Sequence, residues 1–209
     1  MEIINALEWR YATKKFDPDK KITPKTLHHL KKGTQLAASS FGLQPYRVII
    51  VEDAEIRRQL QVVSWNQKQI VDASHVFVFC HQHEVGSDDV ALFFAKKAAV
   101  NGLDPVTFQG AVSFVSSKLK EKSKVEMTTW TAHQTYLAVG TLLATAAALR
   151  VDTCPMEGFD ATAYDQILDL STQGLQAAVV VALGYRSDTD PNALSKKTRK
   201  EIDTLFRVL

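Results

Sequence analysis

Three short runs rich in β-branched and aromatic residues, at 47–51, 75–80 and 177–183, are apolar enough along their whole length to be buried strands. Between them the apolar positions recur at helical spacing. This predicts helices near 3–9, 24–38 with Thr23 as N-cap, 54–63, 90–99, 108–122 and 129–150, and a shorter one through 164–168 opened by Asp160. Together these elements read as one layered α+β domain, dominated by helix and covering residues 1–209. The 129–150 pattern is about 30 Å long if fully helical. Its small residues (Ala138, Gly140, Ala144, Ala146, Ala147 and Ala148) permit close approach of a neighbour, and its larger apolar positions are spread around the axis. It should be buried on most sides, by the chain's own core or by a second subunit.

Composition narrows the classes. With 209 residues, 45% of them hydrophobic, the chain can bury roughly 70% of its unfolded surface without metal or disulfide staples. Only Cys80 and Cys154 occur; Cys80 closes an apolar run and reads as a buried thiol in a reducing compartment. Residues 1–10 carry Glu2 and Glu8 and lack a basic flank and an apolar region, so they are not read as a secretory signal, and a cytoplasmic location is expected. The longest apolar stretch, 137–149, falls short of the ~20 residues a bilayer requires. Net charge is +2, and the lysines at 118, 120, 122 and 124 alternate with Glu121 and Ser123, so no nucleic-acid surface is expected.

Candidate chemistry sits in five places. Pro155, Met156, Glu157, Gly158, Phe159 and Asp160 form a turn in which proline fixes its own φ and glycine opens a path closed to other residues, so amide N–H groups can face a ligand. Arg10, Lys14 and Lys15 form one basic cluster, and Lys196, Lys197, Arg199 and Lys200 a second; brought together, they could hold one phosphate. The 38–45 turn offers Ser39 and Ser40 to a polyol, and Asn66 offers both donor and acceptor to a heterocycle edge. Each feature alone is also compatible with an ordinary turn or a solvated charge run. No metal site is expected: His83 and Glu84 fail the HExxH pattern because position 87 is Ser, and His28 and His29 point about 100° apart on a helix. Asp188, Asp190 and Asn192 alternate like part of a calcium loop, but Pro191 and the missing downstream Glu argue against one. No dinucleotide glycine fingerprint or phosphate loop is present, so no resident dinucleotide site of the Rossmann kind is expected.

In order and spacing, RYATKKF (10–16), SSFGLQP (39–45), DASH (72–75), PMEGFD (155–160) and KTR (197–199) resemble the FMN-dependent nitroreductase family, especially its oxygen-insensitive nitroreductase and dihydropteridine reductase branch. The resemblance implies a three-layer α/β/α fold with a central mixed, mostly antiparallel sheet, assembled as an intertwined homodimer in which the serine loop reaches the partner's FMN. It implies that Arg10, Lys197 and Arg199 hold the FMN phosphate and that Ser39 and Ser40 line its ribityl side. Lys14 and Asn66 face the pyrimidine, and the N–H groups of Glu157 and Gly158 approach flavin N5. Tyr11, Ala12, Gly42, Gln69, Pro155 and Met156 complete the cofactor contacts. Lys14, Glu157 and Gly158 are then the catalytic set, Lys14 by stabilising negative charge on the reduced ring. Hydride would pass from NAD(P)H to FMN and on, by a ping-pong mechanism, to a quinone, nitroaromatic, pteridine or activated alkene. The chain departs from the family where Ala12 replaces a serine, Phe41 and Gly42 replace a small residue and an asparagine, and Gln69 replaces a second pyrimidine-facing lysine. The last change predicts a lower flavin reduction potential than in close relatives. Phe41, Phe108 and Phe114 could wall the substrate face, although Phe114 fits a core position equally well. Two other classes stay open: an FMN-binding storage or sensing protein with little turnover, and a purely structural or interaction protein.

Overall fold

The computed structural model describes residues 3–209; Met1 and Glu2, the start of the stretch read as non-secretory, lie outside them. In chain order the elements are α1 (Ile3–Trp9), α2 (Pro24–Gln35), β1 (Tyr46–Val51), α3 (Ala54–Val62), α4 (Gln69–Asp72), β2 (His75–Gln82), α5 (Ser87–Asn101), α6 (Gln109–Lys120), α7 (Lys124–Ala148), β3 (Asp152–Met156), α8 (Ala161–Ile167), β4 (Leu175–Gly184) and α9 (Ile202–Leu205).

The strands order as β1-β2-β4-β3, and every neighbouring pair is antiparallel; a parallel contact enters through the isolated bridge Ala12 to Thr153. The two central strands, β2 and β4, are covered on both faces, which is why they read as continuous apolar runs. Val76, Val78 and Cys80 pack with Leu60 of α3, Ile70 of α4 and Tyr164 of α8. Phe77 and Phe79 point the other way, against Leu30 of α2 and Ala138, Leu142 and Ala146 of α7. The result is the expected α/β/α sandwich. In β4 the alternation slips: Leu175 and Ala177 share the first layer with Val180 and Ala182, not with Val179 and Val181. A bulge opposite Phe79 and Cys80 skips Ala178 and reverses which face each side chain takes. The Asp165 carboxylate accepts the Ala177 N–H at 3.0 Å beside this bulge.

Several boundaries correct the sequence reading. β3 was not expected at all, and it takes in Pro155 and Met156, so the turn begins only at Glu157. Proline is tolerated because β3 is an edge strand. The Thr153 carbonyl accepts the Thr13 N–H at 3.1 Å on the side away from β4. By the two-residue alternation of an antiparallel ladder, the Pro155 nitrogen and the Glu157 N–H face that same outer side. α7 starts five residues before its predicted position, at a capping box in which Ser123 and Glu126 bond reciprocally. α2 ends at Gln35, Phe108 lies in a 3-10 turn ahead of α6, and the short helices α4 and α9 carried no periodic signal.

α7 buries one side against the sheet and α2, but His133, Tyr136, Leu137 and Gly140 form an exposed stripe; within one chain it is not buried on most sides. Against α2 the approach is close: a Cβ on Gly33 would fall 2.4 Å from Thr145 Oγ1. α5 and α6 form a lobe with its own core, Val90 and Phe94 meeting Val115, Leu119 and Met127. No helix among the described residues is long and apolar enough to cross a membrane.

Candidate functional site

Residues 10–16 leave α1 as an extended strap along the outer edge of β3, held by the Thr13 to Thr153 bond and the Ala12 to Thr153 bridge. The loop after β4 runs beside it. Ser187 N–H donates to Lys15 O at 2.9 Å, and the buried Asp190 carboxylate accepts the Lys14 and Lys15 amides and the Tyr11 hydroxyl. Arg186 stacks on Trp9 and Tyr11, with its guanidinium carbon 4.4 and 4.5 Å from the ring centres, and pairs with the buried Asp152 at 2.5 Å. Burial and the Asp190 bond push the Tyr11 phenol up to about 12, so it stays a donor.

This packing gathers the two basic segments. The Lys197 ammonium caps the end of α1, donating to the carbonyls of Leu7 and Arg10. Arg10 is half-buried, and its Nε, shielded from solvent, has no hydrogen-bond partner among the described residues. Desolvation, then the charge of Arg199, pulls the Arg10 guanidinium below its usual range. Lys197 is lowered by desolvation, then by Arg10 and Arg199, with only Glu8 opposing. Three cations that repel one another, one carrying an orphaned N–H, are chemically suited to an anion with several oxygens.

At the other end of the strap the Lys14 ammonium lies 3.9 Å from Cys154 Sγ on β3. Burial pushes the Cys154 thiol up, while Lys14, Arg10 and the Gln69 side chain pull it back, so these groups all converge on the end of β3. The Glu157–Asp160 turn follows. Phe159 N–H bonds to Glu157 O at 2.9 Å, whereas among the described residues the N–H groups of Glu157 and Gly158 donate to nothing. The turn is braced on three sides: Tyr136 donates to Glu157 Oε1 at 2.7 Å, Gln67 to Gly158 O at 3.0 Å, and Asp160 N–H to Val63 O at 2.9 Å. Trp65 and Asn66 both adopt left-handed backbone, with φ of 54° and 55°. This lays the Trp65 ring on Gly158, where a Cβ would fall 2.7 Å from it, while 79% of the residue stays exposed. Gln69 is buried at the start of α4, whose final carbonyls are capped by the Arg57 guanidinium.

Other predicted site residues lie apart from this group. Ser39 Oγ accepts the Gln44 N–H, and Ser40 N–H donates to Gln134 on α7; neither serine bonds to the strap or the turn of the same chain. Phe41 and Gly42 turn with φ of 57° and 79°, and the Phe93 ring of α5 sits 2.8 Å from the position of a Gly42 Cβ. Phe108 packs on Phe94, ring centres 5.6 Å apart, inside the α5–α6 lobe, and Phe114 is 56% exposed on α6, so it is not core. Gly42 and Phe93 line a separate cleft of about 990 Å³ between α2, β1 and α5, also edged by Lys31, Arg47 and Lys97. Among the described residues no group of three or more His, Cys, Asp or Glu side chains could hold a metal ion. Asp190, Tyr136, Gln67 and Trp65 join the candidate site through partners distant in the chain, which no local pattern marks.

Comparison with known proteins bears on the fold and the family. The sequence model of the Nitroreductase family matches residues 7–185. A Staphylococcus saprophyticus protein with the provisional name NAD(P)H nitroreductase is 31% identical over 208 residues, covering 96% of this chain and 94% of its own. A Staphylococcus haemolyticus protein with the same provisional name is 31% identical over 194 residues, 89% of each chain. Among solved structures, a provisionally named nitroreductase from Exiguobacterium sibiricum, in complex with FMN, superposes with a TM-score of 0.87 at 18% identity, over 100% of this chain and 98% of that one. A nitroreductase-like protein from Streptococcus mutans gives 0.86 over 99% and 97% at 18% identity. With the family model matching most of the chain and relatives 31% identical over nearly its whole length, the chain belongs to the nitroreductase family of oxidoreductases.

Proposed function

We propose that the protein carries hydride from NAD(P)H to a small electron acceptor by way of FMN seated between the strap, the Glu157–Asp160 turn and the Lys197–Arg199 segment. The observation that carries this reading is the cluster of Arg10, Lys197 and Arg199, three cations with an orphaned guanidinium N–H that, among the described residues, form no salt bridge, Glu8 alone acting on Lys197 from a distance. The FMN phosphate fits that need, and the free Glu157 and Gly158 amides fit the reactive edge of its ring. When bound there, FMN supplies a ring that accepts a hydride and gives it up again. The chain's own residues hold and tune it. Arg10, Lys197 and Arg199 grip the phosphate; Lys14 keeps a fixed positive charge beside the ring; Asn66 and Gln69 offer amides to its polar edge; and Trp65 walls the open side above Gly158.

The serine loop makes no bond to this seat in its own chain, which favours a homodimer in which Ser39 and Ser40 reach the partner's FMN. The exposed stripe on α7 and a tail whose Ile202, Leu205, Phe206 and Val208 are uncovered supply apolar surface for it. Two free, buried thiols, Cys80 and Cys154, suit a cytoplasmic setting. The acceptor class is that of flat conjugated compounds, nitroaromatics and quinones first.

An anaerobic visible spectrum of the purified protein tests the reading. A flavin band that bleaches with NADH or NADPH and returns on adding a quinone or nitroaromatic is expected, and the more effective donor names the preferred nicotinamide. Bound flavin that neither nucleotide bleaches would point to storage or sensing, the reading that Ala12, Gly42 and Gln69 leave room for. Colourless protein that FMN cannot reconstitute would end both.

A further inference from the structure

Asp190 lies where the loop after β4 meets the strap, and it is only 5% exposed. Its Oδ2 accepts hydrogen bonds from Lys14 N at 2.9 Å, Lys15 N at 3.2 Å and the Tyr11 hydroxyl at 3.1 Å, and its Oδ1 accepts from Asn192 N at 2.9 Å. Desolvation works to raise this carboxyl, but the bonds from the Asn192, Lys15 and Lys14 amides and from Tyr11 outweigh it and hold it below the usual carboxylate range. The group is therefore an ionised carboxylate kept inside the protein by four donors.

Its position matters because of what else is missing there. The backbone around Lys14 belongs to no helix or strand: bridges at Ala12 and Phe16 and the Thr13 to Thr153 bond pin the strap on either side, and between them the amides of Lys14 and Lys15 are held by Asp190. Among the described residues the Lys14 ammonium forms no salt bridge, and its one polar contact is the Cys154 sulfur at 3.9 Å. The backbone at Lys14 sets where that long side chain starts, and the Lys14 amide itself is fixed by Asp190. Seven residues further on, the same loop delivers Lys197 to the end of α1. We propose that Asp190 is the positioning residue of the flavin seat: its carboxylate fixes the strap so that Lys14 meets the ring while Lys197 meets the phosphate. The inference rests on Lys14 facing the flavin, as set out above.

A double-mutant cycle on the full-length protein, freed of flavin, tests it. The dissociation constants of FMN and riboflavin are measured by flavin fluorescence quenching for the wild type, Lys14→Ala, Asp190→Asn and the double variant. Each single change should weaken riboflavin about tenfold, and for riboflavin, which has no phosphate for Lys197 to meet, the double variant should bind no worse than Lys14→Ala, because a residue that acts on the ring through Lys14 has nothing left to position there; for FMN, Asp190→Asn should cost more than Lys14→Ala alone. Riboflavin losses that multiply, to about a hundredfold, would overturn the proposal while leaving Lys14 in the seat. So would an Asp190→Asn protein that binds like the wild type. Unchanged affinity in Lys14→Ala would overturn the reading of Lys14 itself and the proposal with it. Should Asp190→Asn lose its cooperative thermal transition, Tyr11→Phe, which removes one of the four donors, takes its place. An about threefold loss of riboflavin affinity that vanishes in the Lys14→Ala background supports the proposal, and an equal loss in both backgrounds defeats it.

Discussion

Replacing Arg10 by methionine should leave the flavin-free protein more stable and the FMN complex weaker. Methionine keeps the apolar stem and deletes the charge. In the flavin-free chain that charge is a burden: Nε is buried without a partner among the described residues, and desolvation and Arg199 both disfavour the guanidinium. An unsatisfied buried donor costs about 1 to 3 kcal/mol. Arg10 is only half-buried and solvent screens it, so the lower end, about 1 kcal/mol, is the relief to expect, or about 2 to 4 °C in Tm for a chain of this size. With FMN bound, the same group becomes a charge-assisted donor to phosphate, whose loss costs about 1.5 to 3 kcal/mol, roughly a 10- to 150-fold rise in Kd. Riboflavin, identical in ring and ribityl chain but lacking the phosphate, should bind the variant and the wild type alike. Thermal melts of the flavin-free proteins and fluorescence titrations with both ligands read the two arms. A lower melting temperature would show that Arg10 holds the fold together, and equal weakening of riboflavin and FMN would show that it does not face the phosphate.

Four further outcomes follow from named contacts. Gly158→Ala should displace the Trp65 ring from contact and weaken flavin binding, and Trp65→Ala alone should weaken it as well, with no further loss when the two are combined; a Gly158→Ala protein with unchanged tryptophan fluorescence contradicts the packing. Gly33→Ala drives a methyl into Thr145, and such overpacking costs about 1 to 3 kcal/mol, visible as a fall in denaturation midpoint at constant slope; no fall would mean that α2 and α7 sit further apart. Because the folded Asp190 carboxyl is held below its unfolded value, its stabilisation is complete above that value, about 3.9, and is lost as pH falls through the lower folded one. The stability gap between wild type and Asp190→Asn should thus be flat from about pH 7 to 5 and close in stronger acid, and a gap that widens on acidification contradicts the assignment. Gln69→Lys, which puts a cation beside Lys14 and Cys154, should raise the flavin midpoint potential in a redox titration; a lower potential would place residue 69 away from the ring.

The sheet's centre was legible because β2 and β4 are buried on both faces, so their sequences carry unbroken apolar runs. β3 was not, because five residues including a proline at a sheet edge carry too little periodicity to distinguish them from a turn. The start of α7 was written in Ser123 and Glu126 but lies among lysines whose alternation looks like solvated coil. In the site, the residue types at 10, 14, 197 and 199 announce phosphate chemistry only once their segments are taken together. The bonds that position them are different in kind. Tyr11 and Asp190 stand 179 residues apart, and on local grounds the alternation of Asp188, Asp190 and Asn192 looks like an incomplete calcium loop. Short-range patterns report an element's own exposure, not the partner that tertiary folding brings to it.

The Lys197 cap on α1 joins the two ends of the chain at the cofactor's proposed phosphate. The four strands described are complete by Gly184, so the residues from there to Lys197 add no strand; they fasten the strap, through Arg186, Ser187 and Asp190, and carry Lys197 to α1. On the proposed reading, a chain that ended before Lys197 would keep every residue of its sheet and lose two of the three cations at its phosphate site. It would lack one jaw of the clasp.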